Sequence, residues 1–231
     1  KYPMTIDAGE FIDELILQKD KITVDSSCWL DQCKQWQKKY PVVLPKHWDT
    51  KGSVSNYSFI DALSDILPED SLIVPGSSGG CSEVTMQALR IKKGMRVFNS
   101  EGLGPMGFGI AASIGGCVAS GGKETICIDG DGGFVMNIQE LETVSRLNLP
   151  IKFFVLNNDG YVSIRNTQNS HFEGNLVASG RSSGLTLPSL KKNTNAYDIP
   201  YKIIRSSEFL HDSLNEVLAT PGPIVCEVIL P

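Results

Sequence analysis

Residues 125–133 read TICIDGDGG and residues 151–160 read IKFFVLNNDG. Each is a short apolar run, rich in β-branched and aromatic side chains, that stops on a polar turn containing glycine. Runs of this kind are strands buried on both faces of a sheet. Between Gly132 and Asn157 lie 24 residues, and those at 138–147 (IQELETVSRL) carry a helical apolar spacing. Strand, helix and strand make a right-handed crossover, which lays the two strands parallel in one sheet. Asp131 and Asn158 then project from the same sheet edge.

Outward from this unit the pattern repeats. Apolar runs at 71–74, 96–99, 201–204 and 224–229 read as further strands, and the stretches 59–67, 83–89 and 109–119 read as helices. The expected fold is α/β: a doubly wound parallel sheet with helices on both faces, its ligand site at the carboxyl ends of the strands. The polar stretch 162–187 is the one connection too long for a simple link, and reads as a loop. Before residue 50 the pattern is different. Helices at 8–17 and 30–40 are followed by a breaker-dense connection at 41–58, so a boundary is expected near residue 50, with 1–49 as a separate piece and 50–231 as the sheet domain.

Composition narrows the function classes. The chain has 231 residues, 41% of them hydrophobic, and a net charge of −5. It has no apolar stretch approaching the ~18 to 20 residues of a membrane helix. The mild acidity lacks the basic footprint of nucleic-acid binding. Six scattered cysteines with no CxxC pair, and no targeting segment in view, fit a reducing cytoplasm. The opening residue is Lys1, which suggests a piece of a longer chain.

Three motifs compete for the chemistry. Residues 76–80 (GSSGG) match G-x-S-x-G after a strand, which would make Ser78 a hydrolase nucleophile with His171 or His211 as base. Neither histidine has the surroundings of an activated base. Residues 102–107 (GLGPMG) match G-x-G-x-x-G, with Asp129 further on, the pattern of an NAD-binding Rossmann domain. Against it, Glu101 would sit where a pyrophosphate should lie. Residues 117–123 lack both the first glycine and the hydroxyl of a P-loop.

The paired strand ends are the strongest signal. A carboxylate at Asp131 and an amide oxygen at Asn158 offer few, hard oxygen ligands. Such a set suits Mg²⁺, which keeps waters and shares substrate phosphates. Gly130, Gly132 and Gly133 permit close backbone approach, and the following helix aims its N-terminal N–H groups at an anion. A diphosphate bridged by magnesium fits.

GDG, 24 residues and NN together resemble the signature of thiamine diphosphate-dependent enzymes. Residues 102–116 (GLGPMGFGIAASIGG) are similar to the acetolactate synthase-like branch, and the likeness covers roughly residues 70–231. The resemblance implies a C-terminal, diphosphate-binding domain whose Mg²⁺ is held by Asp131, the Asn158 side chain and the Gly160 carbonyl. It further implies diphosphate contacts from Ser77, Ser78, Gly132 and Gly133, and Met106 wedged beneath the cofactor to hold its two rings in a V. The Gly104 carbonyl would accept from the pyrimidine amino group. Tyr161 and Ile164 would line the pocket near the thiazolium, and the loop from Val162 would close over substrate.

The implied activity is decarboxylation of a 2-oxo acid with carboligation, the thiazolium storing the electron pair released with CO₂. In this family the cofactor is activated by a glutamate on a separate pyrimidine-binding domain, so no catalytic residue is expected within these 231 residues. Residues 1–30 resemble the tail of a preceding middle domain, in which FAD could be bound. The chain would be the last third of a homodimeric or homotetrameric enzyme, or the cofactor-binding subunit of a two-subunit decarboxylase.

Overall fold

The computed structural model describes residues 2–77, 79–100 and 102–231. The expectations for Ser78 and Glu101 fall outside the described residues. The chain divides into two compact units, Lys1–Pro41 and Val42–Pro231. The first holds α1 (Ala8–Leu17) and α2 (Ser27–Lys39). Asp7 caps α1, its carboxylate accepting from the N–H groups of Gly9 and Glu10.

The second unit runs α3 (Asn56–Ile66), β1 (Leu72–Pro75), α4 (Glu83–Ala88), β2 (Arg96–Val97), α5 (Phe108–Ala119), β3 (Thr125–Gly130) and α6 (Asp131–Phe134). It continues with α7 (Leu141–Arg146), β4 (Ile151–Asn157), α8 (Val162–His171), α9 (Leu190–Ala196), β5 (Tyr201–Ile204), α10 (Leu210–Ala219) and β6 (Ile224–Ile229). The strands form one six-stranded sheet in the order β2-β1-β3-β4-β6-β5, every pairing parallel.

The period of two along each strand divides the apolar side chains between two cores. Ile126 and Ile128 of β3, with Phe154 and Leu156 of β4, pack with Phe59 and Leu63 of α3 and Leu214 of α10. Cys127, Phe153 and Val155 face the other way, against Ile110 of α5 and Leu141 and Val144 of α7. Helices therefore cover both faces. Lys152 is a charge in a buried strand. It stretches to the sheet's end, where its ammonium donates to the carbonyls of Thr220 and Gly222, and burial lowers its pKa.

Two segments differ from the sequence expectation. The stretch from Val162 opens with ten helical residues, α8, before it becomes irregular. The helix after the GDG turn is broken. α6 has four residues and Asn137 stands at φ −128°, ψ 32° before α7 begins. Asn137 instead turns its amide to the Gly107 carbonyl at 2.9 Å. No long helix dipole points at the turn, and the backbone N–H groups of Gly130 and Gly132 already donate to the carboxylates of Asp129 and Asp131. Among the described residues no helix is long and apolar enough to cross a membrane.

Candidate cofactor site

β1, β3 and β4 lie side by side, and their carboxyl ends lead into residues 76–77 and 79–80, 130–133 and 157–160. Together with residues from α3 and α8 they enclose a cavity of about 280 Å³. Ser77, Met106, Gly130, Asp131, Gly132, Gly133, Asn158, Gly160, Tyr161 and Ile164 all line it. Gly104 does not. It sits at φ 51° in the loop before α5, its N–H donating to the Ser100 carbonyl at 2.9 Å.

Asp131 is held by the backbone. Its Oδ1 accepts from the Gly132 N–H at 2.8 Å, and its Oδ2 from the Gly160 N–H at 2.9 Å, which ties the two turns together. Burial raises its pKa, and the N–H groups of Gly160, Gly132 and Asn158 oppose that rise. The neighbouring amides have different duties. Asn157 turns inward, donating to Glu227 Oε1 and accepting from the Asp159 N–H at 2.9 Å, while Tyr201 donates to the other Glu227 oxygen. Asn158 faces the cavity, and its Oδ1 is buried with no hydrogen-bond partner. A buried amide oxygen without a donor is rare and costs about 1 to 3 kcal/mol, so its presence beside a carboxylate is an opening for a cation.

Glycine is required on the cavity wall by contact. A Cβ on Gly132 would stand 2.3 Å from the Tyr161 ring and 3.4 Å from the Met106 methyl. Gly132 thereby lets an aromatic ring and a half-exposed methionine close on its backbone.

Beneath the cavity lies Asp129, which is 1% exposed. Glycines from three separate segments enclose its carboxyl: a Cβ on Gly76, Gly109 or Gly133 would stand 2.2, 2.3 or 2.7 Å from its oxygens. Burial pushes its pKa up to about 7, against the N–H groups of Gly130 and Gly109, and nearby Asp131 adds to the rise. A carboxyl that keeps its proton up to about neutral pH spares an anion site a second full negative charge below that pH.

Sequence reasoning missed Asn56 and Ser163. Asn56 comes from the start of α3, and a Cβ on Gly80 would stand 2.0 Å from its Nδ2. Ser163, from α8, stands 2.9 Å from where a Gly79 Cβ would be. The doubled glycine after Ser78 was the available signal: two polar side chains press on the turn there. The hydrolase reading finds no base. His211 stacks on Trp48 and pairs with Asp65, His171 ends α8 in solvent, and neither lines the cavity.

Residues 78–228 match the family described as thiamine pyrophosphate enzyme, C-terminal TPP binding domain. Acetolactate synthase 2, chloroplastic, of Nicotiana tabacum is 28% identical over 218 residues, covering 93% of this chain and 32% of the relative. The acetolactate synthase large subunit of Cyanidium caldarium is 29% identical over 205 residues, 89% of this chain and 34% of the relative. That of Parasynechococcus marenigrum (strain WH8102) is 30% identical over 204 residues, 88% and 32% respectively. The chain thus spans about a third of the length of the curated relatives it matches. These matches overturn the Rossmann alternative. In the fold, its G-x-G-x-x-G follows β2, a two-residue edge strand away from the sheet centre where a dinucleotide crevice belongs.

Proposed function

The chain belongs to the thiamine pyrophosphate enzymes, through their C-terminal cofactor-binding domain, and on that premise we propose that its cavity holds the diphosphate end of the cofactor through magnesium. The reaction we assign to the whole enzyme is decarboxylation of a 2-oxo acid followed by carboligation, of the acetolactate type. The observation that carries the metal is the unpartnered, buried Oδ1 of Asn158 in the same cavity wall as Asp131. Asp131, Asn158 and the Gly160 carbonyl would hold Mg²⁺, a hard cation that accepts few protein oxygens plus phosphates. Ser77 and the backbone of Gly132 and Gly133 would receive the phosphates.

When bound, the cofactor supplies the electron sink for the pair released with CO₂. The chain's own residues would hold and orient it. Met106 and Tyr161 would shape the wall beside the rings, Ile164 would keep the approach apolar, and Asp129, protonated up to about neutral pH, would repel the diphosphate less than an ordinary carboxylate. Gly104 would accept from the pyrimidine amino group once a pyrimidine-binding domain, on this or another polypeptide, completes the site. A domain division near residue 50, assembly as a dimer or tetramer and a cytoplasmic location complete the proposal. Six free cysteines are in keeping with a reducing compartment.

The test is a thermal melt. Thiamine diphosphate with Mg²⁺ at a hundredfold over its dissociation constant should stabilise the chain by about 2.7 kcal/mol, while either alone does little. A melt that answers to NAD⁺ and ignores thiamine diphosphate with Mg²⁺ would refute the assignment.

A further inference from the structure

The turn 157–160 is an uncommon shape. Asp159 sits at φ 57° and Gly160 at φ 127°, so two consecutive residues lie where L side chains are rarely found. What holds it is an arginine one turn into α8. Arg165 donates from Nη2 to the Asn158 carbonyl at 2.7 Å, and from Nη1 to the carbonyls of Asp159 at 3.0 Å and Ser179 at 2.9 Å.

Two of these acceptors belong to the turn that carries Asn158 and Gly160. The third belongs to a segment lying antiparallel to it, with Gly160 bridged to Gly180 and the Tyr161 N–H donating to Ser179 at 2.9 Å. Both bridge glycines fit around the guanidinium: a Cβ on Gly160 or Gly180 would stand 3.0 or 2.8 Å from Nη1. Beyond them, Ser183 Oγ receives the N–H groups of Ser179 and Gly180, each at 3.0 Å. On the cavity side Gly160 donates to Asp131. Hydrogen bonds therefore run unbroken from Asp131 to Ser183.

We infer that Arg165 is a positioning residue that aims the oxygen ligands of the 157–160 turn and couples them to the 178–183 segment. Uptake of a metal-bridged diphosphate and tightening of that segment's hydrogen bonds are then coupled. The inference rests on the metal and diphosphate reading of the site. Its physical basis is the planar fork of the guanidinium. Fixing the Asn158 and Asp159 carbonyls fixes the two peptide planes that flank Asp159; the first starts at the Asn158 Cα and the second carries the Gly160 N–H that donates to Asp131. A lysine has one ammonium and cannot reach all three oxygens with the same geometry.

The experiment compares wild type, Arg165→Ala and Arg165→Lys in the 231-residue chain. Mg²⁺-dependent affinity for inorganic pyrophosphate and for thiamine diphosphate is read by calorimetry. Amide exchange at residues 160–161 and 178–180 is read with and without magnesium pyrophosphate. Loss of a partner that orients metal ligands typically costs about 10- to 100-fold in metal affinity, which is the loss expected for Arg165→Ala. Arg165→Lys should recover part of it, and so should millimolar guanidinium added to Arg165→Ala. Exchange at 178–180 should slow on addition of magnesium pyrophosphate in wild type and not in Arg165→Ala. A merely structural arginine would lower the melting temperature without affinity that answers to added guanidinium.

Arg165→Ala with wild-type affinity, or with wild-type exchange at 178–180, overturns the inference. A wild-type chain that takes up neither probe refutes the diphosphate reading instead. The coupling of the two segments then stands or falls on whether Arg165→Ala speeds ligand-free exchange at 160–161 and 178–180.

Discussion

Asp129 should make the metal-free protein less stable as pH rises. Its folded pKa is pushed up to about 7 from an ordinary value of 3.8, so between those values the folded state binds a proton that the unfolded state has lost. Stability is full below the unfolded pKa, falls as pH rises, and flattens above the folded pKa. A tenfold difference in proton affinity between the two states is worth about 1.4 kcal/mol, so the whole effect is at most about 4 kcal/mol; about 2.5 kcal/mol of it falls between about pH 5 and pH 8. Asp129→Asn keeps the shape, stays neutral throughout and should remove that slope. Urea unfolding of both proteins at a series of pH values, with chelator and without diphosphate, measures the difference directly. Titrating groups remote from Asp129 are common to both proteins and cancel, whereas Asp131, which interacts with Asp129, is part of the difference measured. If wild type and Asp129→Asn lose stability in parallel from pH 5 to pH 8, the buried carboxyl is not held protonated and the reasoning fails.

Gly132→Ala should leave the sheet intact and weaken Mg²⁺-dependent binding of thiamine diphosphate by about tenfold or more. A Cβ 2.3 Å from the Tyr161 ring forces the cavity wall to move, and calorimetry reads the change. Asp131→Ala should abolish Mg²⁺-dependent binding and lower stability by about 1 to 3 kcal/mol, because the Gly132 and Gly160 N–H groups lose their acceptor; denaturant unfolding checks the second figure. The 231-residue chain saturated with cofactor should not turn over pyruvate measurably. Among the described residues Asp131 is the only acid lining the cavity, on the proposed reading it would be committed to the metal, and a missing acid–base group costs about 10² to 10⁴ in rate. Release of CO₂ by the purified chain would contradict this, and supplying the pyrimidine-binding region should restore turnover.

The sheet and the pairing of Asp131 with the Asn158 turn were legible because β3 and β4 are buried on both faces, so each reads as a continuous apolar run that ends where its turn begins. α8 was not. Its sequence, VSIRNTQNSH, has few strong helix formers and no apolar stripe. Its Arg165 bonds to carbonyls of residues 158, 159 and 179 are tertiary, and no local pattern announces them. The break at Asn137 escaped for a similar reason, since its competing acceptor is the carbonyl of Gly107. Asn56 was hidden by distance along the chain; only the fold brings it against Gly80.

The glycines were read for one half of their purpose. Those at 130, 132 and 133 suggest open backbone for a phosphate, and Gly132 does border the cavity. Gly76, Gly109 and Gly133, however, also make room for one another's shared neighbour, the Asp129 carboxyl. A side chain at any of the three would have to displace a group that is 1% exposed and cannot swing into solvent. The two acids at the end of β3 are thereby assigned opposite conditions. Asp131 borders the cavity, where a cation would favour its charged form, whereas Asp129 is sealed beneath by glycines and burial favours its neutral form. A strand end carrying two free carboxylates would repel a diphosphate. One exposed to a cation and one kept near neutrality leaves a site whose net charge a metal can reverse.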